Sequence, residues 1–339
     1  MKNKFSGALL ATTLLLAAGC SSVKHEKGAI WCNEPLKYTP NTTHFDRTHI
    51  EVARRGYIYA LAGAFVLQTN SDESKDHWFE LPERMTVVDK PERHKSGFEV
   101  GTFELREEIT DAKPSEVIIA FTGSNDKADW VWTNIWFSQT QYDLASEYLK
   151  KVHSEYPNTR IVVTGYSLGG ALAGHVTKEE KTSALVDEAW LFNPSPKLYA
   201  NDNYDERIWV GAVRGEALQY VRTWPFETFW PGINKIGAPW QQNAQDYYLI
   251  SAFPVYGHYR WTLVRNILFV ADYAHLQNEN YGPVDPKRVR EPREIIEASY
   301  FKACEAEQAE RNRILTSQKG EQEKVTNSLK EEQAESRKL

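Results

Sequence analysis

The chain has 339 residues, of which 41% are hydrophobic, 25% charged and 12% aromatic, with 11 Trp. Those proportions exclude disorder, collagen and low-complexity fibre over most of the length. The formal charge of -6 with no basic block argues against nucleic-acid binding, and three Cys are too few for a disulfide-dense scaffold.

In chain order, Lys2 and Lys4 precede a mostly apolar run from Phe5 to Ala18, followed by Gly19-Cys20. A bilayer-spanning helix needs about 20 apolar residues, so this run is short for an anchor and reads as a secretory signal. Leu16-Ala17-Ala18-Gly19-Cys20 resembles a bacterial lipobox, with Ala17 where Leu is more usual. The resemblance implies removal of residues 1–19 and lipidation of Cys20. Ser21, in place of Asp, resembles the pattern that sorts lipoproteins to the outer membrane. The expected location is therefore exported and lipid-anchored to a bacterial membrane, the outer one. Export opens an oxidising compartment. Cys32 and Cys304 then either pair, tying the two ends together, or stay as thiols.

Residues 20–45 are largely polar, carry Pro35 and Pro40, and read as a tether. His49 to Gln68 has apolar residues at helical spacing. Residues 69–96 are charged and read as loop. Gly97 to Arg106 alternates, with Phe98, Val100, Thr102 and Glu104 expected on one face. Val117 to Phe121 is a continuous apolar run, the pattern of a parallel strand covered on both faces. Tyr142 to Tyr156 predicts a helix stopped by Pro157-Asn158. Arg160 to Thr164 predicts the next strand, Leu168 to Val176 a helix, and Glu188 to Phe192, Arg207 to Val213 and Asp246 to Ser251 further strands. Tyr259 to Tyr273 reads as the last helix of the domain. The β-α-β-α-β order implies a mostly parallel sheet with helices on both faces, in a single α/β domain over residues 46–301. Residues 302–339 are dominated by Glu, Lys, Gln, Arg and Ser and read as a solvated helix or disordered tail.

Ile161 to Ala173 is the most informative stretch. A buried strand runs into Gly165-Tyr166-Ser167-Leu168-Gly169 and directly into a helix. That is the context a nucleophile elbow requires, with Ser167 on the turn and Gly165 and Gly169 where backbones pass closely. The N–H of Leu168, at the helix N-terminus, can face a developing oxyanion.

The stretch Thr164 to Ala173 resembles the class 3 lipases, a branch of the α/β-hydrolase fold, with Tyr166 where that family usually has His. Val117 to Ser124 resembles the family's strand ending in Arg-Gly-Thr or Arg-Gly-Ser, with Thr122 in place of Arg. The resemblance implies a second oxyanion donor at Ser124. Asp129-Trp130 and Gly97-Phe98 resemble neighbouring elements, so the likeness spans roughly residues 50–280.

A serine hydroxyl needs a base and an orienting carboxylate, and in this fold the chain order is Ser, acid, His. Glu216 ends the strand Trp209 to Val213 in Arg214-Gly215-Glu216, resembling the family's strand that ends in Gly-Asp. It is favoured over Asp202 and Asp205, which precede that strand. His175 lies on the helix after the elbow and reads as packing or surface. His258 stands after a loop, Ala252 to Gly257, and before the last helix, and is favoured as base over His275.

Two segments are rich in aromatic residues: Trp130, Trp132, Trp136 and Phe137, and Trp224, Phe226, Phe229, Trp230 and Trp240. They either border an acyl site or belong to the core. No cofactor is expected: there is no His-Glu-x-x-His, paired Cys-x-x-Cys, phosphate loop or dinucleotide fingerprint. The resemblance implies a serine ester hydrolase (lipase, phospholipase or carboxylesterase) acting on acyl esters of lipids or phospholipids, held to the membrane through Cys20. The competing readings are a non-catalytic lipoprotein that binds a partner on the same scaffold, and a peptidase or amidase on it.

Overall fold

A computed structural model describes residues 46–68, 76–122, 139–223, 235–247, 254–276 and 287–301. The signal, tether and tail segments, Cys20, Cys32 and Cys304 lie outside the described residues.

Seven strands form one sheet in sequential order: β2 (Met85–Asp89), β3 (Val100–Leu105), β4 (Glu116–Phe121), β5 (Arg160–Tyr166), β6 (Glu188–Phe192), β7 (Ile208–Val213) and β8 (Asn243–Tyr247). The pairs β2–β3 and β3–β4 are antiparallel, and every pair from β4 to β8 is parallel. A separate antiparallel ribbon pairs β1 (His77–Trp78) with β9 (Tyr300–Phe301). The helices are α1 (Arg47–Phe65), α2 (Thr140–Glu155), α3 (Leu168–Lys178), α4 (Gln219–Thr223), α5 (Pro254–His258), α6 (Arg260–Leu276) and α7 (Glu291–Ala298). This mostly parallel sheet between helical layers is the α/β-hydrolase fold.

Alternation along the strands builds two cores, since successive side chains point to opposite faces. Ile118, Ala120, Val162, Trp190 and Phe192 pack with α1 and α6. Val117, Ile119, Ile161, Val163, Ala189 and Leu191 pack with α2 and α3. The central strands are buried on both faces, which explains their unbroken apolar runs. Each fully buried large apolar side chain contributes about 1.5–3 kcal/mol, and Trp190, Phe121 and Ile118 are among them.

Helix α1 starts where Asp46 accepts the His49 N–H at 2.9 Å. This cap satisfies a donor that has no partner within the helix. Gly56 lets the helix lie against the Trp190 ring, for a Cβ there would sit 2.4 Å from it.

Several boundaries differ from the sequence reading. The segment read as loop contains β1 and β2, short edge strands whose charged flanks hide them. Strand β3 is covered on both faces: Val100 enters one core, Phe103 and Leu105 the other. Strand β8 begins at Asn243, three residues before the expected start, because its polar residues suit a sheet edge. Pro254 to His258 is a short helix instead of a loop. Among the described residues no helix is long and apolar enough to cross a membrane.

Candidate active site

The site lies at the C-terminal ends of β5 and β7, where parallel α/β sheets leave their crevices. Strand β5 ends at Tyr166, Ser167 takes φ 57° and ψ -118°, and α3 starts at Leu168. A non-glycine residue at positive φ costs on the order of 1–3 kcal/mol and persists only when its surroundings enforce it. Here they do. Ser167 N–H donates to the Phe192 carbonyl at 2.9 Å, and the Ser195 N–H donates to the Ser167 carbonyl at 3.0 Å. A Cβ on Gly165 would lie 2.2 Å from the Gly169 carbonyl group, and one on Gly169 would lie 2.0 Å from the Phe121 carbonyl oxygen. The two glycines therefore let strand, turn, helix and the end of β4 close on one another.

Ser167, Glu216 and His258 come together. The ring of His258 places Nε2 3.0 Å from Ser167 Oγ and Nδ1 2.5 Å from Glu216 Oε2. Glu216 follows β7 through a turn in which Gly215 takes φ 72°, and its side chain is fully buried. Burial pushes its carboxyl pKa up, but the Arg222 charge, His258 and the Leu218 N–H outweigh that and hold it below the ordinary 4.5. An ionised carboxylate can only accept. His258 Nδ1 must then carry the proton, leaving Nε2 to accept from the Ser167 hydroxyl.

The other candidates are engaged elsewhere. Asp205 pairs with Arg207, and Asp202 accepts the Lys235 N–H. His275 Nδ1 meets the Arg288 carbonyl and its ring packs edge-on against Tyr57. Burial lowers its pKa. His175 bonds the carbonyls of Leu198 and Tyr199.

Leu168 heads α3, where the first N–H groups have no intrahelical acceptor. Ser124 lies outside the described residues. Thr122 is buried; its N–H and hydroxyl both donate to the Glu99 carbonyl, fixing the chain just after β4. Of the aromatic residues singled out, Trp240 is described and is 75% exposed, so it is not core; the other eight lie outside the described residues. Among the described residues no group of three or more His, Cys, Asp or Glu could hold a metal.

Two residues of the site escaped the sequence reading. Asn193, at φ 41°, donates to Tyr166 Oη at 2.6 Å and accepts the Val213 N–H at 2.9 Å. Its amide also reaches the carbonyls of Gly257 and His258, at 3.4 and 3.3 Å. The signal available was Phe192-Asn193-Pro194, a strand end followed by turn residues. Arg222 pairs with Glu216 Oε1 at 2.5 Å. No sequence signal marked it beyond its place six residues after the acid.

Residues 132–179 match the family model of class 3 lipases. The matched stretch includes α2, β5, the turn at Ser167 and α3. No curated protein matches the sequence. Among solved structures, the chain is similar to the Lip2 lipase of Yarrowia lipolytica (15% identity, 56% of this chain and 77% of that one, TM-score 0.35). It is similar too to a triacylglycerol lipase of Penicillium expansum (14%, 54% and 77%, 0.37), and to a lipase of Rhizopus microsporus var. chinensis (11%, 72% and 96%, 0.37). The family match, with the α/β-hydrolase fold, supports a carboxylic ester hydrolase of the lipase type.

Proposed function

We propose that the protein is a serine hydrolase acting on acyl esters of lipids or phospholipids, through a Ser167-His258-Glu216 triad and an acyl-enzyme. The observation that carries this reading is the continuous hydrogen-bonded chain from Ser167 Oγ through the His258 ring to Glu216. His258 Nε2 takes the Ser167 proton as Oγ attacks the ester carbonyl. The N–H groups of Leu168 and Ser124 hold the oxyanion. His258 then gives its proton to the leaving alkoxide, and water, activated by the same ring, hydrolyses the acyl-enzyme. Removing one such oxyanion donor typically costs about 10²–10³ in turnover.

In this reading residues 1–19 direct export and Cys20 carries the lipid that holds residues 46–301 at a bacterial membrane, the outer one. Residues 20–45 serve as the tether. Export would also allow Cys32 and Cys304 to pair. An exposed aromatic residue such as Trp240 next to a membrane surface suits apolar acyl chains.

A partner-binding lipoprotein without activity has no need for the acid and base to converge on the serine, and their convergence favours the enzyme. The test is labelling by a fluorophosphonate probe. Wild type and His275→Ala are expected to label, and Ser167→Ala and His258→Ala to fail. A folded wild type that does not label would overturn the hydrolase reading; once labelling is established, turnover of acyl esters by wild type defines the substrate.

A further inference from the structure

The Glu216 carboxylate is fully buried, and its two oxygens have divided roles. Oε2 accepts from His258 Nδ1 at 2.5 Å and from the Leu218 N–H at 2.9 Å. Oε1 accepts from Arg222 Nη2 at 2.5 Å. The Arg222 side chain is itself 2% exposed. Its other nitrogens are committed: Nη1 donates to the Pro194 carbonyl at 2.9 Å and Nε to Gln245 Oε1 at 3.0 Å. With all three nitrogens engaged, the planar guanidinium cannot turn. Resting on the serine-hydrolase reading, we propose that Arg222 is a positioning residue of the triad, one that keeps Glu216 ionised with Oε2 turned toward His258.

The physical case is one of charge and geometry. A buried carboxylate without a cation nearby takes up a proton, because the charged form is the one that burial penalises. A protonated Glu216 would no longer demand the Nδ1–H form of His258, and the ring could carry its proton on Nε2, where it cannot accept from Ser167. If Glu216 instead stayed ionised without Arg222, its uncompensated charge would favour the imidazolium, which cannot accept either. Both routes move the acid limb of the activity to higher pH. Among the described residues, Tyr166 and Arg260 are further titratable or charged groups that face the site. The Tyr166 ring lies 5.5 Å from that of His258. Burial, with Glu216 adding, raises its phenol well above the ordinary value, against the Asn193 bond and the Arg260 and Arg222 charges, so it stays neutral. Arg260 is buried. Arg222 is the cation bonded directly to the Glu216 carboxylate.

The experiment measures the rate of fluorophosphonate labelling against pH for the full chain and for R222M, R222Q, R222K, E216Q and R222M/E216Q, with thermal melts as a check of folding. R222M is expected to label roughly 10–100-fold more slowly, as for loss of a hydrogen bond to a charged group, with its acid limb displaced to higher pH. R222Q keeps a donor without the charge and decides the matter if R222M does not fold; its limb must rise too. R222K keeps the charge and is expected to slow labelling while leaving the limb in place. In R222M/E216Q the limb should stand where it stands in E216Q. A folded neutral variant that labels with the wild-type limb would overturn the proposal while leaving the hydrolase reading intact. A folded wild type that does not label would overturn both.

Discussion

Asn193 donates its amide N–H to the hydroxyl of Tyr166, the residue just before Ser167, while its amide oxygen accepts from Val213 at the end of the strand that leads to Glu216. One side chain thus joins the segment bearing the serine to the segment bearing the acid, and the same amide lies against the backbone of His258.

Asn193→Ala should therefore loosen the site as well as the fold. It leaves the buried Val213 N–H without an acceptor, at about 1–3 kcal/mol, and puts alanine at positive φ. Asn193→Gly keeps the backbone free and loses only the bonds. Denaturant unfolding should rank wild type above N193G and N193G above N193A. Labelling should be slower in both, and wild-type rates in both would remove Asn193 from the site's architecture.

Glu216→Gln keeps the shape of the acid and removes its charge. An amide can donate to Nδ1 and fix the wrong tautomer of His258. The expected loss in turnover is about 10⁴, the scale seen when a triad acid becomes its amide. Steady-state hydrolysis of an acyl ester measures it. A loss below tenfold would show that Glu216 does not orient the base.

The two glycines of the elbow and Gly215 should respond differently to alanine. At Gly169 the new Cβ would meet the Phe121 backbone, which cannot swing aside, so a loss of at least 1–3 kcal/mol from overpacking is expected, together with loss of labelling. At Gly215 nothing lies within 4 Å, and the cost is only that of φ 72°, about 1 kcal/mol. Thermal melts of G169A and G215A separate space from backbone conformation. Equal losses would contradict the packing described.

The Arg84–Glu291 pair sets an acid sensitivity remote from the site. Arg84 meets both oxygens of Glu291 at 2.7 Å, and Tyr57 donates to one of them. Burial pushes the Glu291 carboxyl up, but the Arg84 and Tyr57 bonds bring it below 4.5. A depressed carboxyl stabilises the fold fully above its unfolded value and loses that contribution as pH falls through the folded value. Glu216 has the same sign. In urea unfolding across acid pH, Glu291→Gln should flatten the fall below about 4.5. Arg84→Met should cost about 3–5 kcal/mol near neutrality, since it strands a buried charge. An unchanged slope in E291Q would exclude the linkage.

The sequence was most legible where local rules act. The elbow is a run of adjacent residues, and its glycines, serine and small helix residues each answer a steric need within a few bonds of Ser167. The parallel strands β4 to β6 could be read because both their faces are buried. What resisted reading depends on partners distant in the chain. Asn193 and Arg222 are ordinary polar residues until folding brings Tyr166, Val213, Pro194 and Gln245 to them. Strands β2 and β8 lie at the sheet edges, where one side of the ladder is open and polar residues are tolerated, so hydropathy understates them. Chain order places His258, while the helix that carries it reads as a loop because five residues with Pro and Gly show no helical period.

Helices α1 and α6 lie together on one face of the sheet, although one opens the described domain and the other nearly closes it. During synthesis from the N-terminus, Ile50, Tyr57, Leu61 and their neighbours therefore emerge long before Leu263, Ile267 and Val270 exist to cover them. The nascent chain must carry a sticky, half-finished core until almost all of the domain has been made. Long-range closure of this kind slows folding and exposes intermediates to aggregation. Truncations that end before Arg260 should accordingly be insoluble instead of forming a smaller stable domain, and the chain stands to gain from a holding chaperone before it folds.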